Sequence, residues 1–91
     1  METRVQNSHQ QLDPSDEALV ERVCRQDVTA FGQLYDRYAR PVYVLAAGAL
    51  GRMEAEEIVQ EVFLRLWHKA NQFQPERGPF GAWFMTIARH H

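Results

Sequence analysis

The sequence feature that most constrains the fold lies in the second half of the chain. Between Glu54 and Trp67, apolar residues recur at steps of three and four without interruption. The residues that share this face are Ala55, Ile58, Val59, Val62, Phe63, Leu66, Trp67 and Ala70. A stripe of this width predicts an amphipathic helix that lies on a core. Glu54, Glu56 and Glu57 near its start favour the helix, because carboxylates are attracted to the positive end of the helix dipole.

The outward face of the same helix combines acidic and amide side chains with one leucine. Its members, at helical spacing, are Glu57, Gln60, Glu61, Leu64 and His68. A single exposed leucine is common on protein surfaces, so this face could be an ordinary solvated surface. Alternatively, Leu64 is the apolar anchor of a docking surface whose acids and amide pair with arginine or lysine on a partner.

The composition limits the chain to one small domain. Its 91 residues, 45% of them hydrophobic, suffice for a single core but not for a two-domain enzyme. No apolar run reaches the roughly 18 residues of a membrane span, and the polar start lacks the apolar segment of a signal peptide. We therefore expect a cytoplasmic protein. The net charge of -2 argues against a protein that grips nucleic-acid phosphates unaided.

Residues that could carry enzymatic or metal chemistry are scattered along the chain. The single cysteine, Cys24, cannot form an internal disulfide, and its register with Leu19 and Val23 predicts a buried packing role. The histidines do not converge on a metal site. The acids of the central helix lie on an exposed face, where nothing desolvates them for acid–base catalysis. We therefore expect no enzymatic activity, no metal and no other cofactor.

The N-terminal part of the chain predicts a short helix after a polar tail. Residues 1–13 are polar and unpatterned, which predicts a disordered tail, and the domain is expected to extend over residues 14–91. Ser15 is the expected N-cap of a short helix that runs to about Arg25.

A second, longer helix is expected to follow, capped by Asp27 or Thr29. Its expected core-facing seam consists of Phe31, Tyr35, Tyr38, Val42, Leu45 and Ala49. Pro41 falls inside this seam and should bend or split the helix, because proline lacks an amide donor. Gly51 is expected to end the helix, since glycine readily adopts a left-handed conformation.

The last part of the chain predicts a loop and a final helix. Residues 71–78 are rich in loop formers, and Pro79 is the expected first residue of the helix that follows. The expected core stripe of this helix is Phe80, Trp83, Phe84, Ile87 and Ala88. The chain stops at His91 inside a helical pattern, which suggests a fragment. Without strand patterns, the predicted fold class is all-α: a small bundle of three longer helices plus a short N-terminal helix.

Three of these segments resemble region 2 of the bacterial sigma-70 superfamily, in particular the extracytoplasmic-function (ECF) sigma factors. The matching segments are AFGQLYDRY at residues 30–38 for region 2.1, EAEEIVQEVFLRLW at residues 54–67 for region 2.2, and RGPFGAWFMTIAR at residues 77–89, with Phe73, for region 2.3. Three blocks in order at family spacing are far more specific than any one of them. The resemblance implies a domain that ends near the start of region 2.4, without region 4, and therefore only part of a sigma factor.

The resemblance also implies a protein partner for the central helix. In this family, region 2.2 binds the clamp-helix coiled coil of the largest RNA polymerase subunit. Carried over by position, Gln60 and Glu61 lie at the centre of that contact, with Glu57 and Leu64 beside them. These residues belong to the outward face described above.

The last helix is implied to contact promoter DNA. In this family, the loop before region 2.3 and the outer face of its helix contact the non-template strand of the minus-ten element. The candidate DNA-binding residues are Phe73, Arg77, Thr86, Arg89 and His90. Arg77 and Arg89 could meet phosphates, whereas Phe73 could stack on a base or pin the loop to the core. For Trp83, on the apolar stripe, we expect packing.

One departure from the family pattern concerns strand separation. Thr86 and Ile87 stand where housekeeping sigma factors have a tryptophan pair that wedges DNA open, so strong melting by this domain alone is not expected. An alternative function is a protein-interaction module held by an anti-sigma factor, with little DNA binding of its own. A free-standing DNA-binding repressor is a third possibility, which the acidic charge balance disfavours.

Overall fold

The computed structural model describes residues 13–90, which form a small bundle of helices. Its elements are α1 (Asp16–Cys24), α2 (Val28–Leu50), α3 (Arg52–Lys69), two 3-10 turns (Ala70–Gln72 and Pro75–Arg77) and α4 (Phe80–Arg89). No strand occurs among the described residues, so the all-α prediction is confirmed. Apart from Asp13, the predicted disordered tail lies outside the described residues, as does His91.

The first two helices begin at residues whose side chains accept amide hydrogen bonds. Ser15 Oγ accepts one from the Ala18 amide at 3.0 Å, and Asp27 Oδ1 accepts one from the Ala30 amide at 3.2 Å. Of the two candidate caps of α2, Asp27 is therefore the one used, and the Ala30 amide is the main cause that lowers its pKa. Gly51 ends α2 with φ of 94°, as predicted, in a region that favours glycine.

The core forms where α2 and α3, joined by Gly51 alone, pack against each other and are crossed by α1 and α4. The Phe31 ring near the start of α2 packs on Phe63 and Trp67 of α3, so the two helices run antiparallel. The predicted stripe of α3 is confirmed: Ala55, Ile58, Val59, Val62, Phe63, Leu66 and the following Ala70 are buried, and Trp67 is half-buried.

Helix α4 is anchored by two fully buried aromatic rings, Phe80 and Phe84. The Phe84 ring centroid lies 5.1 Å from that of Phe63 on α3 and 5.6 Å from that of Tyr38 on α2. Burial of one such side chain contributes about 1.5 to 3 kcal/mol, so these rings are the main attachment of α4. Pro79 is the N-cap of α4 rather than its first residue, one position from the prediction.

Helix α2 continues through Pro41 without a break, so a split there is not observed. Pro41 is exposed, and water can therefore bond the Arg37 carbonyl that lacks its amide partner.

The buried face of α2 is rotated from the predicted seam. Its buried residues are Ala30, Leu34, Val42 and Ala46. Tyr35 is 42% exposed and Ala49 is exposed, so the prediction was wrong for both. The cause is a second partner: α2 packs on α1 as well as on α3, which moves its apolar face towards Leu34.

Cys24 is exposed, so its predicted buried packing role was wrong. Leu19, Val20 and Val23 are buried as expected. On an α-helix, Cys24 lies about 40° beyond Val20 at the edge of this stripe. It is also the last residue of α1, where the chain turns towards α2.

Candidate functional site

The outer face of α3 is a continuous exposed surface. Glu57, Gln60 and Glu61 are exposed, and Leu64 exposes 57% of its area; we call these four residues the α3 surface. Within residues 13–90 their side chains make no ion pair with the protein. The opposite face of α3 is packed into the core, so the α3 surface is held in place and open to a partner.

A groove borders the α3 surface at Gln60. It has a volume of about 390 Å³ and is lined by Tyr35, Ala39, Arg40, Tyr43, Glu56, Val59 and Gln60. Sequence periodicity assigned Tyr35 to the core, and only the observed rotation of α2 brings its ring to this rim. Two tyrosines beside an exposed amide form the mixed aromatic and polar surface that protein partners commonly bury.

A second groove lies between the loop after α3 and the outer side of α4; we call it the α4 groove. It has a volume of about 440 Å³ and is lined by Gln72, Phe73, Gln74, Arg77, Gly78, Pro79, Ala82, Trp83 and Thr86. Three predicted DNA-binding residues, Phe73, Arg77 and Thr86, therefore line one cavity. The sequence had not singled out Gln72 and Gln74, because a loop carries no periodicity from which facing residues can be read.

Phe73 fulfils the packing role and also lines the α4 groove. Its ring is half-buried, with its centroid 5.7 Å from that of Phe80 and 5.3 Å from that of Trp83. Trp83 packs in the same cluster, as expected, and also lines the groove. Aromatic faces, side-chain amides and one arginine are the groups that stack on and hydrogen-bond to unpaired bases.

Arg89 and His90 lie at the far end of α4 and do not line the groove. Both are exposed. His90 Nδ1 lies 3.0 Å from the Thr86 carbonyl oxygen, and Thr86 Oγ1 donates to the Ala82 carbonyl at 2.9 Å. The predicted DNA-binding set is therefore divided into three residues that line the groove and two residues, Arg89 and His90, at the C-terminal end of α4 beyond it.

The wall of the α4 groove is supported by α1, which the sequence did not suggest. The Phe80 amide donates to Glu17 Oε2 at 3.0 Å. Next to this bond, the Tyr38 hydroxyl donates to Asp16 Oδ2 at 2.5 Å. Burial, with the adjacent Asp16 carboxylate as a further cause, raises the pKa of Tyr38 to about 12.

Among residues 13–90, no group of three or more His, Cys, Asp or Glu side chains could hold a metal ion. In the same part of the chain, no helix has both the length and the apolar character that crossing a membrane requires.

A sequence model of the family described as Sigma-70 region 2 matches residues 34–91, more than half of the chain. The chain belongs to the sigma-70 region 2 family. The matched residues include all of α3 and α4, and therefore both the α3 surface and the α4 groove. Helix α1, with Glu17, precedes the match.

Curated relatives of the chain are named as ECF RNA polymerase sigma factors. The chain is 40% identical to BldN of Streptomyces coelicolor over 73 residues, which are 79% of this chain and 28% of that protein. It is 36% identical to SigK of Mycobacterium tuberculosis (strain ATCC 25177 / H37Ra) over 73 residues, 79% of this chain and 39% of that protein. The chain thus spans well under half the length of these relatives. No solved structure matches the chain.

Proposed function

We propose that the chain is the promoter-recognition domain of an ECF RNA polymerase sigma factor. In this role, it docks on the clamp helices of the polymerase and contacts the non-template strand of the minus-ten element during transcription initiation. The observation that carries the proposal is the α3 surface, where two acids, an amide and a leucine are exposed side by side on a helix fixed to the core. Such a domain would work in the cytoplasm, without enzymatic activity or a cofactor.

The chemistry of the α3 surface suits a basic helical partner. Glu57 and Glu61 can accept hydrogen bonds from arginine or lysine, Gln60 can donate and accept, and Leu64 supplies apolar area beside them. Charged pairs of this kind steer association and fix its register. The polymerase clamp helices are therefore the partner that we propose for this face.

The chemistry of the α4 groove suits an unpaired base. Phe73 and Trp83 offer aromatic faces, and Arg77 is the one charged side chain on the described lining. A volume of about 440 Å³ is within the range of roughly 300 to 1,000 Å³ common for small-molecule pockets, so a nucleobase can be accommodated. With a net charge of -2, the domain depends on the polymerase for most of its DNA affinity.

The alternative is a protein-interaction module whose main partner is an anti-sigma factor. An anti-sigma factor could cover the same α3 surface and thereby compete with the clamp helices. Under this alternative, the α4 groove would show no preference among DNA sequences.

The docking role can be tested with a labelled clamp-helix fragment of the largest polymerase subunit. We expect the chain to bind it in a salt-sensitive manner, because the contact is partly electrostatic. If the chain does not bind the fragment even at low salt, the docking role is contradicted and the anti-sigma alternative is favoured.

The DNA role can be tested by titrating a labelled single-stranded minus-ten oligonucleotide at several salt concentrations. Arg77, Arg89 and His90 can neutralise two or three phosphates, and each adds about 0.7 to the salt slope on single strands, so we expect weak binding with a slope near two. Tight binding to duplex promoter DNA with a steep slope would show that the domain reads promoters without polymerase, against the proposal.

A further inference from the structure

Helix α4 differs from α1 and α2 in how its N-terminus is satisfied. Ser15 and Asp27 cap α1 and α2 from within three residues along the chain. The N-cap of α4 is Pro79, whose side chain offers no acceptor, and the first turn of α4 contains no acid. The Phe80 amide instead donates to Glu17 Oε2 of α1 at 3.0 Å, across 63 residues of sequence.

Helix α1 is itself fixed to the bundle through charged hydrogen bonds. Asp16 accepts from Arg37 Nη1 at 2.8 Å and from the Tyr38 hydroxyl at 2.5 Å. Arg37 also donates to the Pro14 carbonyl at 2.6 Å. The Glu17 carboxylate therefore projects from an anchored helix, and its position is defined relative to α2.

The bond from Glu17 lies where the wall of the α4 groove begins. Pro79 lines that groove directly before Phe80, and Arg77 lies three residues before it. Ala82, Trp83 and Thr86 line the groove further along the same helix. A shift of the α4 N-terminus would therefore move the arginine and the indole ring relative to each other.

We infer that Glu17 is a positioning residue for the α4 groove: by capping α4 from α1, it sets the geometry with which the groove selects a DNA base. This inference rests on the proposed function. Glu17 precedes the residues that match the family. It acts through the Phe80 amide and need not contact DNA.

The test compares Glu17→Ala, Glu17→Gln and Asp27→Ala in the 91-residue chain. Glu17→Ala removes the acceptor, whereas Glu17→Gln keeps an acceptor oxygen and removes the charge. Asp27→Ala is the matched control, because it removes the cap of α2 at a similar cost in stability and leaves the first turn of α1, which carries Glu17, unchanged. All measurements are made well below the melting temperature, with helicity checked by circular dichroism.

The first readout is hydrogen exchange of the Phe80 amide together with the NMR shift of the Trp83 indole. We expect Glu17→Ala to accelerate exchange of this amide by about fivefold, the effect of one capping hydrogen bond, and to shift the indole signal. Glu17→Gln and Asp27→Ala should leave both nearly unchanged. This readout requires no DNA, so it tests the positioning of α4 even if the proposed function fails.

The second readout is sequence preference, given as the ratio of two affinities. One is the affinity for the single-stranded DNA that the wild-type chain selects from a randomised pool, and the other is the affinity for a scrambled version of that DNA. We expect Glu17→Ala to reduce the ratio of the two affinities at least threefold, roughly the effect of a weak cap, and Glu17→Gln to restore it. Equal losses in Glu17→Ala and Asp27→Ala would assign Glu17 to stability alone and overturn the inference. If the wild-type chain selects no sequence, the proposed DNA role fails. The positioning role is then judged by the first readout alone, and it is overturned if Glu17→Ala leaves the NMR signal of the Trp83 indole unshifted.

Discussion

The α3 surface and the α4 groove are built in different ways on the same small bundle. All four residues of the α3 surface project from one helix, and the buried stripe of that helix holds them in place. The α4 groove requires a loop with two 3-10 turns, the outer side of α4 and the support of α1. The α3 surface therefore depends on local helical geometry, and the groove on contacts between distant segments.

This difference determines how each surface should respond to substitution. Changes on the α3 surface should alter binding without altering the fold, because its side chains are exposed. Changes at the supports of the groove should alter stability and binding together. A substitution in the core that both surfaces share should abolish this contrast.

The largest effect is expected for Phe84→Ala, which should damage both surfaces. The Phe84 ring packs on Phe63, Tyr38 and Phe80, so its removal leaves a cavity where three helices meet. The expected loss is about 3 to 5 kcal/mol of the free energy of unfolding, measured by urea denaturation. The control is Leu64→Ala, since that leucine is 57% exposed and should change stability by less than about 0.5 kcal/mol. Similar losses in the two variants would refute the assignment of the core.

The double variant Gln60→Lys with Glu61→Lys should separate the two surfaces. We expect clamp-fragment affinity to fall at least about thirtyfold, since each such contact contributes roughly 1 to 3 kcal/mol. Helical circular dichroism should stay unchanged, and oligonucleotide binding should change only about as much as in the control, which also adds positive charge. Glu21→Lys is the control, because Glu21 is an exposed residue of α1 whose 3.6 Å pair with Arg25 contributes little. A loss of helicity in the double variant would mean that these residues do not face outward.

Two glycine substitutions compare a tight position with an open one. A methyl group at Gly81 would lie 2.9 Å from the Tyr38 hydroxyl, whereas one at Gly48 would meet nothing within 4 Å. The Tyr38 ring is held by Phe80 and by Asp16, so Gly81→Ala should destabilise the fold by about 1 to 3 kcal/mol.

Gly48→Ala should instead stabilise the fold by about 0.5 to 1 kcal/mol, because alanine has a higher helix propensity than glycine at an exposed position inside a helix. Thermal melts of both variants provide the measurement. Stabilisation by Gly81→Ala would show that α4 does not approach Tyr38 closely.

The smallest effect concerns the titration of Tyr38 next to Asp16. Its pKa is raised to about 12, above the ordinary value of 10.0, mainly by burial. The neutral phenol is therefore favoured in the folded state. Its contribution to the free energy of unfolding is fully present below pH 10 and is lost as the pH rises towards 12. Tyrosinate absorbance should show an ionisation step near pH 12, and Tyr38→Phe should remove that step. A titration of the folded protein that Tyr38→Phe leaves unchanged near pH 12 would contradict the buried contact with Asp16.

The sequence was most informative where structure is local. The apolar stripe of α3, its exposed face, the Ser15 cap and the end of α2 at Gly51 follow from helical periodicity and capping chemistry, and the structure agrees with each. The resemblance to sigma factors likewise rested on local motifs, and the family match includes two of them fully.

Features that depend on a second element could not be predicted. Tyr35 was assigned to the core because nothing in the α2 sequence shows that α1 also packs on that helix. Cys24 lies at the edge of its stripe, where one helical position decides burial. The bond from Phe80 to Glu17 joins residues whose proximity no periodicity indicates. The binding roles of the predicted site residues stay predictions.

The central claim is that polymerase and DNA bind to two separate surfaces, and NMR titration of the isotopically labelled chain tests it most directly. Adding the clamp-helix fragment should shift the amides around Gln60, Glu61 and Leu64 and leave those of the α4 groove unchanged. Adding the single-stranded minus-ten oligonucleotide should shift Phe73, Arg77 and other groove residues and leave α3 unchanged. Shifts of the same residues by both ligands, or shifts by the clamp fragment confined to the α4 groove, would contradict the account.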